Sequence, residues 1–314
     1  MIKKIYVFIL ISFFYSNTSY SQNLKNVDLK IIKYPTSFNN PNKLADRIAK
    51  DYDTDIERVR AIYTWITNNV AYNYSESGKY IYSYTDANDH IKKEREYRNK
   101  LSKRVVSKGV AVCEGYSTLF NELCNLLKIK SWIVNGDSKT RIKDIGKRFS
   151  INHAWNIAEI NGENYLFDST WGAGVYNKVF EKDVTYNYFM TKPEIFIKKH
   201  YPKDYKNTLL DYKIDKNAFL NAPLLFDIGI TGYKLIAPTH GVLSKSNKGK
   251  TKFIIKTDIK NFSIGYQVGR THNYINTFTY EKGYLKFELD LYEVKGKDLI
   301  IYINNYAFLG FKLK

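Results

Sequence analysis

Hydrophobic residues recur every three to four positions in two stretches of the chain, and each stretch predicts an amphipathic helix. The first begins at Thr54, where Thr54-Asp55-Ile56-Glu57 has the form of a capping box, and it ends near residues 68–70. The second follows Cys113 and ends at residues 128–130. Residues 75–108 are polar and charge-mixed, which predicts an exposed helix between them. The apolar face of the second helix consists of Leu119, Phe120, Leu123, Cys124, Leu126 and Leu127.

The pattern changes to short strands after the second helix. Residues 131–136 and 153–160 predict strands, and Asn161-Gly162 predicts a hairpin turn before a return strand that starts at Tyr165. Helices followed by antiparallel strands predict an α+β fold. From about residue 218 onward, many short alternating runs separated by turn residues predict a C-terminal β-sandwich of immunoglobulin-like type.

The N-terminus has the pattern of a secretory signal. Lys3 and Lys4 precede an apolar run over residues 5–15, and the small residues Ser19 and Ser21 stand at the spacing that signal peptidase prefers. The run is shorter than the ~20 apolar residues of a membrane span. We therefore predict a cleaved signal peptide at 1–21, domains at 22–218 and 219–314, and export to the periplasm or the outside of the cell without a stable transmembrane anchor. The alternative is an uncleaved N-terminal anchor.

Composition and charge narrow the class of protein. The chain is 44% hydrophobic, enough to bury a core, which excludes disorder and coiled coil for the whole chain. Its 49 lysines and arginines against 31 aspartates and glutamates give a net charge of +18. Because an exported basic protein meets anionic lipids, wall polymers and acidic glycans first, we expect an anionic cell-envelope polymer as a partner rather than nucleic acid.

Three residues in the middle of the chain could perform nucleophilic catalysis together. Cys113 stands at the predicted start of the second helix, where unpaired backbone amides and the helix dipole favour a thiolate and could face an oxyanion. His153 opens one predicted strand and Asp168 lies on the return strand, close to cross-strand reach. An Asp that holds one ring nitrogen of a His leaves the other nitrogen to serve the cysteine.

Each of these residues also has an ordinary structural interpretation. A cysteine near a helix start is most often a small buried hydrophobe. A single His on a strand is most often structural, and an Asp before Ser-Thr is most often a turn cap. The catalytic hypothesis therefore depends on the three residues occurring together, in this order and in these predicted elements.

The motifs that carry these residues resemble the transglutaminase-like superfamily and, within it, the kyphoscoliosis-peptidase-type branch. The matching segments are Gly109-Val110-Ala111-Val112-Cys113-Glu114-Gly115-Tyr116, Asn152-His153-Ala154-Trp155-Asn156 and Asp168-Ser169-Thr170-Trp171-Gly172-Ala173-Gly174. The helix through residues 59–72 and the segment His200-Tyr201-Pro202 extend the likeness to about residues 45–215.

The resemblance implies a papain/transglutaminase-like core in which Cys113 is the nucleophile, His153 the general base and acid, and Asp168 its orienting partner. The superfamily includes peptidases, protein cross-linkers, deglycosylating amidases and members without demonstrated activity. We expect hydrolysis of an amide in a peptide or protein substrate, with transamidation as a variant outcome. The further candidates for the cleft or the oxyanion site are Tyr72, Tyr74, Trp155 and Trp171.

The sequence contains no pattern that predicts a disulfide, a metal site or a cofactor. Cys124 lies eleven residues after Cys113 on the same predicted helix, about 16 Å away, so the two thiols cannot form a disulfide. The five histidines are scattered without metal-binding spacing, and no phosphate-binding or dinucleotide motif occurs, so we expect no metal and no cofactor. The rival hypotheses are a non-catalytic module that binds an anionic polymer or a protein, and a chaperone-like assembly partner of another exported protein.

Overall fold

The computed structural model describes residues 23–78, 83–246, 249–292 and 294–314. The predicted signal peptide at 1–21 lies outside the described residues. Contacts group the chain into two compact units, the first comprising residues up to Val134 together with Ala154–Thr191 and the second comprising Asn135–His153 together with Lys192–Lys314. The domain boundaries at 218 and 219 stay a prediction from the sequence.

The helices lie mostly in the first half of the chain, as the hydrophobic pattern predicts. The helices of the described residues are α1 (23–31), α2 (Pro41–Asp51), α3 (Asp55–Asn69), α4 (Ala87–Lys108), α5 (Cys113–Leu126), α6 (Ser169–Ala173), α7 (Pro193–Phe196) and α8 (Lys216–Asn221).

Strands dominate the second half. The strands are β1 (Ala71–Tyr72), β2 (Val110–Ala111), β3 (Ser131–Ser138), β4 (His153–Ile160), β5 (Glu163–Phe167), β6 (Gly174–Asn177), β7 (Val179–Lys182), β8 (Phe189–Thr191), β9 (His200–Pro202), β10 (Leu224–Leu225), β11 (Tyr233–Ala237), β12 (Val242–Leu243), β13 (Lys250–Thr257), β14 (Ile264–Val268), β15 (Thr271–Tyr274), β16 (Thr279–Glu281), β17 (Tyr284–Asp290), β18 (Asp298–Ile303) and β19 (Tyr306–Leu313).

Helix α3 forms where the capping box predicts it. The Glu57 carboxylate accepts hydrogen bonds from the Thr54 hydroxyl at 2.6 Å and from the Thr54 backbone N–H at 3.4 Å, which fixes the first turn. The apolar positions of the pattern are buried from end to end of the helix. They include Ile56, Val59, Ile62 and Ile66.

Helix α1 is fastened to α3 by an ion pair with little exposure. Asp28 accepts two hydrogen bonds from the Arg60 guanidinium, at 2.8 and 2.7 Å, and a third from the Thr64 hydroxyl at 2.7 Å. The guanidinium also lies 3.5 Å from the ring centroid of Tyr186. A bidentate pair of this kind holds two elements in one orientation, because its planar geometry admits few alternatives.

Strands β3, β4 and β5 form the middle of a five-stranded sheet of order β8-β5-β4-β3-β9. Strands β4 and β5 are antiparallel, with Asn156 opposite Phe167 and Ile160 opposite Glu163. The connecting Asn161 and Gly162 both have positive φ, as the two-residue hairpin turn requires. The predicted hairpin is therefore confirmed, and it brings the start of β4 beside the end of β5.

The C-terminal region consists mainly of antiparallel strands. One sheet has the order β11-β13-β17-β16, and another has the order β10-β19-β18-β14-β15 with β12 beside β19. The Phe253 ring stacks on Phe287 within its own sheet at 5.0 Å and meets Phe311 of the other sheet edge-on at 5.6 Å. Helices first and antiparallel strands afterwards confirm the α+β class.

The part of the chain that the structure describes contains no candidate for a membrane-spanning helix. Among those residues, no helix has both the length and the apolar character that a membrane crossing requires.

Candidate active site

Cys113 is the first residue of α5, as the sequence analysis predicts. Residue Val112 takes the capping position with an extended backbone, and its carbonyl accepts from the N–H groups of Gly115 and Tyr116. The thiol is partly exposed and forms no disulfide. Cys113 therefore lies at the positive end of a helix and is partly accessible from solvent.

The backbone just before Cys113 is held by the short parallel pair of β1 and β2. Tyr72 lies opposite Ala111 in this pair, two residues before the thiol. Burial, followed by the charge of the Cys113 thiolate, raises the pKa of the Tyr72 hydroxyl to about 12, so it stays protonated and can donate a hydrogen bond at neutral pH. Tyr72 is thus the oxyanion candidate that the structure brings next to the nucleophile.

His153 and Asp168 come together at the meeting point of β4 and β5. His153 is the first residue of β4, and Asp168 directly follows β5. A ring nitrogen of His153, a ring nitrogen of His200 and a carboxylate oxygen of Asp168 all lie within 4.8 Å of one another. All three residues are buried.

Asp168 also caps the short helix that follows it. Its Oδ1 accepts from the backbone N–H groups of Thr170 and Trp171, both at 3.0 Å, at the start of α6. The capping interpretation and the catalytic interpretation of this residue are compatible. Two fixed hydrogen bonds hold the carboxylate in place, as an orienting partner for an imidazole requires.

His200 is the site residue that sequence reasoning missed. Its ring lies 5.4 Å from the His153 ring, and it stacks on Phe196 at 4.0 Å. The antiparallel pairing of β9 with β3 carries it there, with His200 opposite Ser138. The only indication of His200 in the sequence is that residues 200–202 take part in the family resemblance. Because 47 positions separate His200 from His153, no local pattern connects the two.

Two histidines and a carboxylate are also donors that a divalent metal accepts. The sequence, which has no local metal-binding spacing, gave no expectation of such a group. The Oδ1 atom of Asp168 is already engaged by two amides. The cluster therefore has the donors for a divalent ion as well as the partners for an imidazole held by a capped carboxylate.

The remaining sequence candidates differ in their surroundings. Trp155 is 1% exposed and packs within the core, whereas Trp171 is half-buried and meets Tyr188 edge-on at 5.6 Å. Tyr74 is 66% exposed in a 3₁₀ turn. The cleft roles of these three residues stay predictions.

Asn156 lies in the same motif as His153, but the sequence analysis does not include it among the candidate site residues. Its Nδ2 donates to the Ser117 carbonyl oxygen at 3.0 Å, and both residues are buried. This bond joins β4, three residues after His153, to α5, one turn after Cys113.

Cys124 contrasts with Cys113 on the same helix. It is completely buried, and this burial raises the pKa of its thiol to about 12. The prediction that the two cysteines remain unpaired is confirmed, since both are free thiols. Of the two thiols, only Cys113 is accessible from solvent.

A small cavity borders the turn that contains Cys113. It has a volume of about 20 Å³, room for a single water, and Glu76 in its wall is held by the Arg104 guanidinium at 2.8 Å. The cavity is too small for a substrate side chain. Its lining is Glu76, Gly78, Tyr97, Leu101, Val110, Ala111, Val112, Glu114 and Gly115.

Part of the chain is similar to known proteins. The family model of the transglutaminase-like superfamily matches residues 42–169, a range that contains Cys113, His153 and Asp168. Kyphoscoliosis peptidase from Homo sapiens is 32% identical over 174 residues, and the protein of the same name from Mus musculus is 31% identical over 174 residues. Each alignment covers 53% of this chain and 23% of the relative, so the chain spans about a quarter of the length of these relatives.

A crystal structure of a TGase is also similar, at 17% identity and a TM-score of 0.29, over 48% of this chain and 37% of that one. At this TM-score the likeness carries no argument about the fold or the site.

Proposed function

We propose that the protein is a thiol acyl-transfer enzyme, a Cys-His-Asp amide hydrolase that acts on peptide or protein substrates, since residues 42–169 match the family model of the transglutaminase-like superfamily. The observation that carries the proposal is a partly exposed Cys113 at the start of α5, together with an Asp168 carboxylate close to the His153 imidazole. These are the three roles that amide hydrolysis by a thiol requires.

In the proposed reaction, the Cys113 thiolate attacks the carbonyl carbon of the substrate amide and a C–S bond forms. The amides at the start of α5 and the Tyr72 hydroxyl stabilise the oxyanion. The C–N bond then breaks, and the amine leaves with a proton from the His153 imidazolium. Water attacks the resulting thioester while His153 takes its proton, so that a carboxylic acid is released and the thiolate is restored. If an amine attacks in place of water, the product is a new amide.

Asp168 keeps the His153 ring in the tautomer that this sequence needs. In the proposed mechanism this carboxylate, which two backbone amides fix, accepts a hydrogen bond from one ring nitrogen, and the other ring nitrogen serves the sulfur. We therefore assign Asp168 an orienting role, in which it stabilises the imidazolium without taking its proton.

The test is the rate at which iodoacetamide labels the two cysteines between pH 5 and pH 9, with the modified residue identified by mass spectrometry. We expect Cys113 to react faster than free cysteine at pH 6, because its thiolate is paired with an imidazolium. Buried Cys124 is the internal control and stays unlabelled while the protein is folded. His153→Ala and Asp168→Asn should both remove the advantage of Cys113 over free cysteine. Equal rates for Cys113 and free cysteine at every pH would refute the proposal.

A second candidate function rests on charge. Residues 219–314 contain 14 lysines and arginines against seven aspartates and glutamates. This excess favours a surface module that holds an anionic cell-envelope polymer. Binding of this kind weakens steeply as ionic strength rises, whereas labelling of Cys113 responds to pH. Retention on an anionic polymer that is lost at high salt, together with an inert Cys113, would favour the module over the enzyme.

We also propose that the protein is exported, since the pattern of residues 1–21 supports a cleaved signal peptide. Expression of the full chain in a bacterial host, followed by N-terminal sequencing, tests this. A mature protein that begins at Gln22 supports export, and a cell-associated protein that retains Met1 contradicts it.

A further inference from the structure

The β-hairpin formed by β6 and β7 presents an aromatic side chain toward the candidate nucleophile. In this hairpin Tyr176 is opposite Phe180, and Val175 is opposite Glu181. Because cross-strand partners share a face, Tyr176 and Phe180 lie on one side of the hairpin and Val175 lies on the other. The Tyr176 ring meets the Tyr72 ring at 5.3 Å.

Tyr72 links this hairpin to Cys113. It lies opposite Ala111 in the β1–β2 pair, two residues before the thiol. Tyr176 remains 47% exposed despite its contact with Tyr72. The two rings therefore form an aromatic surface that starts beside the nucleophile and ends in solvent.

The hairpin is held in this position by the ammonium group of Lys182. The Nζ atom of Lys182 donates to the carbonyl oxygens of Thr67 and Val70, both at 2.8 Å, at the end of α3. The Val70 carbonyl also accepts from the Tyr116 hydroxyl at 2.7 Å, and Tyr116 lies one turn after Cys113 on α5. A chain of hydrogen bonds thus connects the base of the hairpin to the first turn of the nucleophile helix.

Gly174 makes the hairpin possible at its start. Its φ is +153°, and an added Cβ would lie 2.1 Å from the Glu181 carbonyl oxygen across the hairpin. Only glycine fits here, because any larger residue would push the two strands apart. The position of Tyr176 is therefore fixed by Gly174 and by Lys182.

We propose that Tyr176 and Tyr72 form one wall of a substrate subsite beside Cys113, and that this subsite binds an uncharged apolar or aromatic side chain of the polypeptide substrate. Aromatic faces attract such side chains through area and ring geometry. Lys182, the basic side chain on this face of the hairpin, is already committed to two carbonyl oxygens and cannot complement an acidic group. The inference names the substrate class of the proposed enzyme and thus rests on the proposed function.

The test uses the labelling of Cys113 by N-methylmaleimide and N-benzylmaleimide, which differ in the group that the subsite would contact. The measured quantity is the ratio of the benzyl rate constant to the methyl rate constant, divided by the same ratio for free cysteine. We expect this normalised ratio to exceed one by about two- to tenfold in the full-length protein, the range that one aromatic contact supplies. A value of one would overturn the proposal.

Variants of the hairpin identify the wall. Tyr176→Ala should return the normalised ratio to about one, and Tyr176→Phe should keep it, because the ring alone makes the contact. Val175→Ala is the matched control, since Val175 is 57% exposed on the opposite face of the same hairpin and its loss should change nothing. If Tyr176→Ala does not fold, Tyr176→Thr, which suits a strand, replaces it. If Tyr176→Ala or Tyr176→Thr has the same normalised ratio as the wild type, the proposal is wrong.

Failure of this proposal is distinguishable from failure of the proposed function. The iodoacetamide profile measures whether His153 activates Cys113, and it does not depend on the size of the reagent. A fast Cys113 without preference for the benzyl reagent would refute the subsite alone. A slow Cys113 that still prefers the benzyl reagent would refute the catalytic mechanism and keep the subsite.

Discussion

The side-chain amide of Asn156 donates a buried 3.0 Å hydrogen bond to the carbonyl oxygen of Ser117. The bond joins the strand that begins with the candidate base to the helix that begins with the candidate nucleophile. Such a bond, between a side chain and the main chain of another element, specifies distance and direction more narrowly than apolar contact does.

Replacing Asn156 should therefore disturb both folding and reactivity. In Asn156→Ala the Ser117 carbonyl loses its buried donor, and we expect the free energy of unfolding to fall by about 1–3 kcal/mol. We also expect the iodoacetamide rate of Cys113 to drop toward that of free cysteine. Urea unfolding and labelling measure the two effects. Asn221→Ala is the control, because its bond to Asn217 is exposed and its loss should leave both quantities nearly unchanged.

The ion pair of Asp28 and Arg60 is largely buried and should contribute more to the free energy of unfolding than an exposed ion pair does. Their side chains are 17% and 10% exposed, and Asp28→Ala leaves a guanidinium without its counter-charge. We expect a loss of about 3–5 kcal/mol in the free energy of unfolding. Glu159→Ala breaks the pair with Lys130, whose side chain is 71% exposed, and should cost about 0–1 kcal/mol. Equal losses in the two variants would contradict the assigned role of Asp28 in fastening α1.

Because of Lys139, the free energy of unfolding should rise as the pH rises in alkaline solution. Its ammonium group is buried and donates to the carbonyl oxygens of Phe219 and Ala222, and burial lowers its pKa to about 8. The unfolded chain keeps the ordinary lysine pKa of about 10.4, so it binds more protons than the folded chain between these two values. The contribution of Lys139 to the free energy of unfolding therefore rises with pH from about 8 to about 10.4.

The comparison with Lys139→Met isolates this effect, because all other groups titrate alike in both proteins. We expect the difference in unfolding free energy between the wild type and the variant to shift in favour of the wild type by about 1–3 kcal/mol between pH 7.5 and pH 10. Urea unfolding at the two pH values measures it. A difference that stays constant, or that shifts the other way, would mean that Lys139 is not proton-linked to folding.

Gly172 should be intolerant of even one added methyl group. A Cβ at this position would lie 1.9 Å from the hydroxyl of Tyr63, which itself donates to the Thr185 carbonyl oxygen at 2.8 Å. Gly172→Ala should thus push α6 away from α3 and displace the Asp168 cap, which lowers the melting temperature and the labelling rate of Cys113 together.

The double variant Tyr63→Phe/Gly172→Ala is the control for this clash. It removes the atom that the new methyl group meets first, so it should recover part of the lost melting temperature. No recovery would mean that Gly172 is required for another reason than the Tyr63 hydroxyl.

The sequence predicted the parts of the fold that depend on local patterns. Helices α3 and α5, the Asn161-Gly162 hairpin and the burial of Cys124 follow from periodicity, capping and turn chemistry, which act over a few residues. His200 and Lys139 could not be found in this way. His200 reaches His153 only through the pairing of β9 with β3, and Lys139 finds its acceptors about 80 positions further along the chain.

Tyr176 shows the same limit for the site. Its segment lies just past the third motif, but with 28 tyrosines in the chain nothing in the sequence distinguishes it. Its importance follows from the contact with Tyr72, which depends on where Lys182 anchors the hairpin. The catalytic roles of Cys113, His153 and Asp168 stay predictions that the labelling experiment decides.

The placement of both cysteines on α5 has a consequence for oxidative damage. A thiolate such as that proposed for Cys113 is the form that peroxide converts to a sulfenic acid, and a nearby resolving thiol normally rescues it as a disulfide. Cys124 cannot do this, because it is buried about 16 Å further along the same rigid helix. Residues 1–314 contain no third cysteine, so recovery of an oxidised Cys113 depends on a thiol outside these residues.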